Sequence, residues 1–455
     1  MRRAKINVKL EKYDIYPAEF PDVAQLLVSG GDARIALDPE TGLNKYGCRP
    51  YPDSELLAFG SSTASTISQD GFIAASRVRD ELLAARINGG FDACCLSQMQ
   101  RIRQALLAEL QLTNLNVLLQ FAASGTDAHC VAADYARGAQ PLRVVMVEEE
   151  ETGSGVKAAL LAVGCAIDLV ALRESGGVPR AVEEINSEVS ARVDASIGRG
   201  ERVLLVMVDQ SKTGLVAPGV ACLMRLVQQY ADRFWVMVDA CQFRLSPYTL
   251  RAYLQQGFMV AITGSKFFTG PSFSAALLLP AGLQKKEVSD SAFLGVGLLL
   301  RWEAALVELR RFHAVPQVVI VEFLTAFNEA VGARLAQDDR FEPLAVTLQD
   351  RSGLQHVPSW DHLPTIFPFL LKGREGWLDR EQTRQVYRQL QVPDLHAPRC
   401  QFGQPVVCGM RDGVPVSALR LCISARQISD AAAQHSISAL IADALSALDG
   451  AAALI

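Results

Sequence analysis

No run of apolar residues approaches the roughly 20 that a membrane-spanning helix needs, and the longest candidates are broken by glycine or arginine, as between Phe293 and Arg301. Lysine and arginine form no cluster of the kind that tracks a phosphate backbone. With 44 basic and 49 acidic side chains the net charge is −5, and no basic stripe is available to track a phosphate backbone, which argues against nucleic acid as a partner. The six histidines, at 129, 313, 356, 362, 396 and 435, show no HxxxH or HExxH spacing, so no metal site is expected. The ten cysteines are scattered singly apart from Cys94-Cys95, with neither CxxC pairs nor the density of a disulfide scaffold, as suits a reducing compartment. Met1-Arg2-Arg3 leads into Glu11-Lys12-Tyr13-Asp14 rather than an apolar signal core. A soluble cytoplasmic protein without a membrane partner is expected.

What is present is apolar content. Half of the 455 residues are hydrophobic, enough for a large α/β domain with a smaller companion. Short β-rich runs at Leu115–Phe121, Leu142–Val147, Arg202–Val208, Phe234–Val238, Phe258–Thr263 and Ala275–Leu279 alternate with helical patterns at Asp127–Ala136, Val156–Val163, Pro179–Ile197 and Ala221–Ala231. That alternation predicts a mainly parallel sheet flanked by helices. Residues 1–59, rich in Pro, Asp and Tyr, read as an irregular arm; 60–315 read as the large domain and 316–455 as a smaller α+β domain. The latter carries helical patterns at Val319–Leu335 and Asp430–Leu448 and strand-like runs at Thr365–Leu371 and Leu419–Ser424.

Ligands of an open parallel sheet collect beyond the carboxyl ends of its strands, so the residues that follow the predicted strands are the ones to read for chemistry. Ser124-Gly125-Thr126-Asp127 follows the first strand and opens a helix; unpartnered N–H groups, a helix dipole and a hydroxyl suit a phosphate there, and an ordinary N-cap has the same sequence. Asp239 ends the run Phe234-Trp235-Val236-Met237-Val238, with Gln242 three residues on. A carboxylate in that position can pair with a protonated ring nitrogen. Lys266 stands between a buried-looking strand and Phe267-Phe268, surroundings that favour a neutral, nucleophilic amine.

In order and spacing these residues resemble the class V aminotransferase and cysteine desulfurase family of fold-type I pyridoxal-phosphate (PLP) enzymes, over roughly Phe59 to Ala447. The family's Asp-Ala-x-Gln is similar to Asp239-Ala240-Cys241-Gln242. Its cofactor lysine and following Gly-Pro are similar to Thr263-Gly264-Ser265-Lys266 with Gly270-Pro271, and its phosphate turn resembles Ser124-Gly125-Thr126. The family's Asn-Glu-x-Gly is similar to Ser211-Lys212-Thr213-Gly214. The resemblance implies PLP as cofactor, joined to Lys266 as a Schiff base, with Thr126, Thr263 and Ser265 on the phosphate. It also implies Asp239 on the ring nitrogen and Gln242 and Ser211 on the ring oxygen. Arg420, in Leu419-Arg420-Leu421-Cys422-Ile423-Ser424, is similar to the arginine that holds a substrate carboxylate. A homodimer, with the Gly270–Ser274 loop reaching the neighbour's site, is implied as well.

The chain also departs from that pattern. Where many relatives stack a ring over the cofactor, it has Glu148-Glu149-Glu150-Glu151-Thr152-Gly153-Ser154-Gly155. Either a Glu or a Thr of this loop covers the cofactor, or the face is open or served by another segment, or the loop is simply solvated; Glu151 or Thr152 is expected near the site. Cys400, 20 residues before Arg420, is a candidate nucleophile of the desulfurase kind or a buried hydrophobe. The stretch Gly60–Ser68 is either a mobile surface loop or a closure over substrate. The expected function is a PLP-dependent, aminotransferase-like enzyme acting on an amino acid. The alternatives are a C–S or C–C lyase or synthase and a non-catalytic protein of the same fold.

Overall fold

The computed structural model describes residues 20–283, 295–346, 350–354, 359–392 and 398–455; His356, His396 and the first 19 residues of the expected arm lie outside them. Seven strands stand in the order Leu118–Ala122, Ala275–Leu279, Met259–Thr263, Phe234–Ala240, Arg202–Asp209, Leu142–Val147 and Ala166–Val170, with the short Val216–Ala217 beside Arg202–Asp209. Ala275–Leu279 runs antiparallel to both neighbours, and the pairings from Met259–Thr263 to Ala166–Val170 are parallel. All five residues of Met259–Thr263 and of Ala275–Leu279 are buried, as a sheet covered on both faces requires. Phe258, Val260 and Ile262 pack into one core layer and Met259 and Ala261 into another, because successive strand residues point to opposite faces.

The second sheet lies mostly in the C-terminal part. Cys400–Arg411 and Val414–Cys422 form a long antiparallel hairpin joined by Ile366–Gly373 and Phe341–Pro343. Its other edge is Leu57–Phe59, which pairs parallel with Cys400–Arg411 through Leu57 and Cys400. The expected irregular arm thus contains a strand of the C-terminal sheet and a short helix, Val23–Leu27.

Gly60–Ser68 is a packed connector. Ser61, Ser62, Ser65 and Thr66 are buried, the Ser61 hydroxyl donates to the Ile423 carbonyl, and the Cys422 thiol donates to the Ser62 hydroxyl. Buried hydroxyls need partners, and here the end of the strand Val414–Cys422 supplies them. Three helices absent from the sequence expectation, Gln69–Ile87, Phe91–Glu109 and Val296–His313, pack together. The Ala-rich C-terminal helix expected over Asp430–Leu448 is two helices, Ala425–Gln434 and Ile437–Ala453, broken at His435 in a left-handed conformation.

Candidate active site

The carboxyl ends of the parallel strands open into a cavity of about 1300 Å³ lined by residues of both sheets. Ser124, Gly125, Thr126, Thr152, Asp239, Gln242, Thr263, Ser265, Lys266 and Arg420, all singled out in the sequence, line it. So does Glu151, although its carboxylate is engaged elsewhere.

Asp239 is a buried acid on the cavity wall. It sits at the end of Phe234–Ala240, accepts from the Cys241 backbone N–H at 3.1 Å and from the Thr152 hydroxyl at 2.9 Å, and lies 3.4 Å from His129 Nε2. Burial alone would raise its pKa; the positive charge and hydrogen bonding of His129, with Cys241 and Lys266, outweigh it and hold the carboxyl well below the usual range. His129 comes from the helix Gly125–Ala136, and its Nδ1 is 2.7 Å from the Gly125 carbonyl oxygen. A carbonyl only accepts, so Nδ1 carries a proton, and a proton on Nε2 as well makes the ring an imidazolium facing Asp239. Burial works against that charge, yet Asp239 raises the imidazole pKa.

Lys266 follows Met259–Thr263 and is half-buried in the cavity wall. Burial lowers its pKa, and the Arg420 and Arg244 cations act the same way against Cys241 and Asp239. Its neighbours Phe267 and Phe268 are fully buried, Phe267 stacking on Trp360 with ring centres 5.2 Å apart. The main chain that carries Lys266 is therefore anchored in the core. Thr263 donates to the Cys241 carbonyl at 2.7 Å, tying two adjacent strand ends together.

At the start of Gly125–Ala136, Ser124 forms a capping box with Asp127: its hydroxyl accepts from the Asp127 N–H and donates to the carboxylate. The hydroxyl is thus engaged in the cap, while Gly125 and Thr126 occupy the first helical positions, whose N–H groups have no intrahelical acceptor. A Cβ on Gly125 would come within 2.8 Å of Cys241 Sγ, so this close approach of helix and strand end requires glycine.

Arg420 enters from the hairpin strand Val414–Cys422, fully buried. Its terminal nitrogens donate to the carbonyls of Lys212 and Gln404 and to the Thr63 hydroxyl, and its Nε has no acceptor among the described residues. Gln242 likewise donates to the Ser62 carbonyl, and its Oε1 has no donor among the described residues. Buried polar atoms without partners are rare in folded proteins.

Three expectations are corrected. Ser211, expected to face a ring oxygen, is buried outside the cavity lining; its hydroxyl donates to Glu151 at 2.6 Å and accepts from the Thr213 and Leu215 amides. Glu151 lies beside the cavity, as expected, but its carboxylate does not cover a ligand. That group bonds Arg173 at 2.7 Å together with Ser211 and Thr213, and the loop is packed rather than solvated at this point. Cys400 is 1% exposed and lies outside the lining; its thiol donates to the Pro398 carbonyl and is pushed up to about 11 by burial and then Asp443. A thiol so buried is a small core residue rather than a nucleophile.

The residues that sequence reading missed are His129 and Lys212. His129 stands one helical turn beyond Gly125, so position in the helix was its available signal. Lys212 lies in the matched turn but at a position where the family pattern has glutamate.

The residues present fit PLP. A helix start with unpartnered N–H groups suits a phosphate, a buried carboxylate held ionised suits a ring nitrogen, and a lysine of lowered pKa suits an aldehyde.

No family model and no curated protein matches the chain by sequence. Solved structures match it by shape. A NifS-like protein from Rickettsia africae shares 11% identity at a TM-score of 0.51, covering 85% of this chain and 99% of its own. The Escherichia coli cysteine desulfurase CsdA shares 14% identity at 0.50, covering 88% and 96%. Oryza sativa TDC, solved with PLP and tryptamine, shares 15% identity at 0.50, covering 85% and 83%. The fold of this chain is therefore the fold-type I architecture of NifS-like and cysteine desulfurase structures, a mainly parallel sheet between helices with a smaller C-terminal sheet.

Proposed function

We propose that the chain is a PLP-dependent enzyme acting on an amino acid, with aminotransferase-like chemistry, and that it works as a homodimer. The observation that carries this reading is the convergence of Lys266, Asp239, Gln242, Thr126 and Arg420 on one cavity at the ends of the parallel strands. The fold, and the PLP bound in one of the solved neighbours, support it.

In this reading Gly125 and Thr126 bind the cofactor phosphate with backbone N–H groups, helped by Thr263 and Ser265 beside them. Asp239, kept ionised by His129, holds a proton on the ring nitrogen, and Gln242 donates to the ring oxygen the amide N–H that Ser62 does not take. Lys266 attaches the cofactor. When bound there, PLP supplies an electron sink for charge developing at the substrate's α-carbon. Arg420 orients the substrate by its carboxylate. Lys266, once free, moves the proton at the α-carbon, a task that suits an amine whose pKa is lowered. Cys400 has no part in this chemistry.

The test is direct. Purified chain incubated with PLP should turn yellow, and borohydride reduction followed by peptide mass spectrometry should put the pyridoxyl group on Lys266. Lys266→Ala should abolish both signals. No uptake, or an adduct elsewhere that Lys266→Ala leaves untouched, would sink the proposal. A loaded protein whose spectrum ignores every amino acid offered would point to a non-catalytic protein of this fold.

A further inference from the structure

Lys212 occupies the turn after Arg202–Asp209 and is held from two sides. Its N–H donates to the Glu151 carbonyl at 2.8 Å and its carbonyl accepts from Arg420 at 3.1 Å. The side chain is half-buried and lines the same cavity as Lys266 and Arg420. Nζ donates to the Glu149 carbonyl at 2.7 Å, a neutral acceptor. An ammonium carries three donors, and among the described residues no carboxylate forms an ion pair with it.

The charges that face it are Arg420 and Lys266 on one side and Glu151 and Glu150 on the other. They do not cancel, because Glu151 is already bonded to Arg173, Glu150 is exposed, and the Glu149 carboxylate, also on the cavity, lies 3.8 Å from Lys157. Behind the cavity Arg244 is a further fully buried cation, bonded to the Ile423 carbonyl and the Ser61 hydroxyl rather than to an acid. Asp239, the other buried carboxylate on the cavity, faces His129. The cavity wall is thus short of negative charge, and the helix Arg380–Gln389 adds to the imbalance. Arg380, Arg384 and Arg388 line the cavity from its side at four-residue spacing, with Glu381 as the acid partner of the last two.

A cofactor phosphate at the helix start and a substrate α-carboxylate on Arg420 would still leave Lys212 without an anion. We propose that the substrate carries a second anionic group on its side chain, a carboxylate or a phosphate, and that Lys212 binds that group while Arg420 holds the α-carboxylate. The proposal rests on the assignment of Arg420 made under the proposed function. It also accounts for the basic helix, which raises the local concentration of anions at the cavity mouth.

Calorimetric titration of the PLP-loaded protein at pH 7 with succinate, glutarate, adipate and 3-phosphonopropionate, against butyrate, tests it. The best dianion should bind at least about tenfold more tightly than butyrate, the worth of one added charge-assisted contact. Glutarate against 3-phosphonopropionate then tells which anion is preferred. Lys212→Met should bring the ratio near one, and Lys212→Arg should keep most of it; bound-cofactor absorbance and circular dichroism check that each variant is folded. Wild-type protein gives a second measurement without any variant, because burial and Arg420, which act whether or not Lys266 carries the cofactor, lower the Lys212 pKa below the ordinary lysine value. The preference should therefore shrink between pH 7 and pH 9. Equal affinity for butyrate and the dianions, or a preference that survives Lys212→Met, would overturn the proposal. Failure of the chain to take up PLP would defeat the cofactor reading instead, and the dianion preference would still be measurable on the unloaded chain.

Discussion

At the scale of single residues, His129 and Asp239 govern the electrostatics of the cavity floor. Removing one member of a buried ion pair leaves the other charge uncompensated, at a cost of about 3 kcal/mol, so His129→Gln should destabilise the protein by about that amount at pH 6. The sign with pH follows from the direction of the shift. His129 titrates above its ordinary value in the folded chain, so its stabilisation is complete below the unfolded imidazole value of about 6.5 and is lost as pH rises through the folded value. The difference in urea midpoint between wild type and His129→Gln should accordingly be larger at pH 6 than at pH 9. An equal difference at both pH values would mean that His129 acts through packing alone. In the sequence His129 is one of six scattered histidines, marked only by its place one helical turn beyond Gly125, and its partner is not legible there. The pairing exists only because the helix Gly125–Ala136 and the strand Phe234–Ala240 meet, more than a hundred residues apart in the chain.

At the scale of elements, the loop after Leu142–Val147 is tied to the turn after Arg202–Asp209 by Glu151, which accepts from Arg173, Ser211 and Thr213. Burial raises the Glu151 pKa, but Arg173, Ser211 and Thr213 overcome it and keep the group charged. Glu151→Ala would leave Arg173 buried beside neutral hydroxyls. A loss of about 3 kcal/mol is expected in denaturant unfolding, together with weaker PLP uptake, since the same loop places Thr152 against Asp239 and Glu149 against Lys212. Uptake unchanged from wild type would separate the clamp from the cavity.

The same region shows what sequence can and cannot convey. Arg202–Asp209, Phe234–Ala240 and Met259–Thr263 were legible, because continuous apolar runs between turn residues have few other uses. The strand Ala166–Val170 was missed: it lies at the sheet edge and four of its five residues are only half-buried, so its apolar pattern is weak. The residues at the strand ends, Asp239 and Lys266, were legible from order and spacing. The duties of Glu151 and Ser211 were not, because a carboxylate and a hydroxyl that bind each other across loops leave no periodic trace. Cys400 illustrates the same limit: its distance from Arg420 along the chain does not reveal that it pairs with Leu57 in a strand.

At the scale of the whole molecule, the site depends on two sheets that share no strand. Arg244 bridges them from just beyond Phe234–Ala240 to the Ile423 carbonyl, and Gly60–Ser68 passes between them. A further tie is fully buried: Arg351 meets Asp209 in two hydrogen bonds of 2.7 Å and donates to the Asp361 carbonyl, while the Tyr253 hydroxyl donates to the same Asp209. Asp209 ends a strand of the large sheet, and Arg351 belongs to the segment between Phe341–Pro343 and Ile366–Gly373 of the smaller one. This bidentate pair does not line the cavity, yet it helps set how the second sheet, and with it Arg420, meets the first. Arg351→Ala should cost about 3 to 5 kcal/mol, the range for stranding a buried carboxylate, and should raise KM for the substrate by loosening the placement of Arg420. PLP uptake by Lys266, which belongs to the large-sheet side, should be affected less. Unfolding in urea, substrate titration and cofactor absorbance on the one variant would measure all three, and a loss of cofactor uptake as large as the loss of substrate affinity would show that the two sheets do not respond separately.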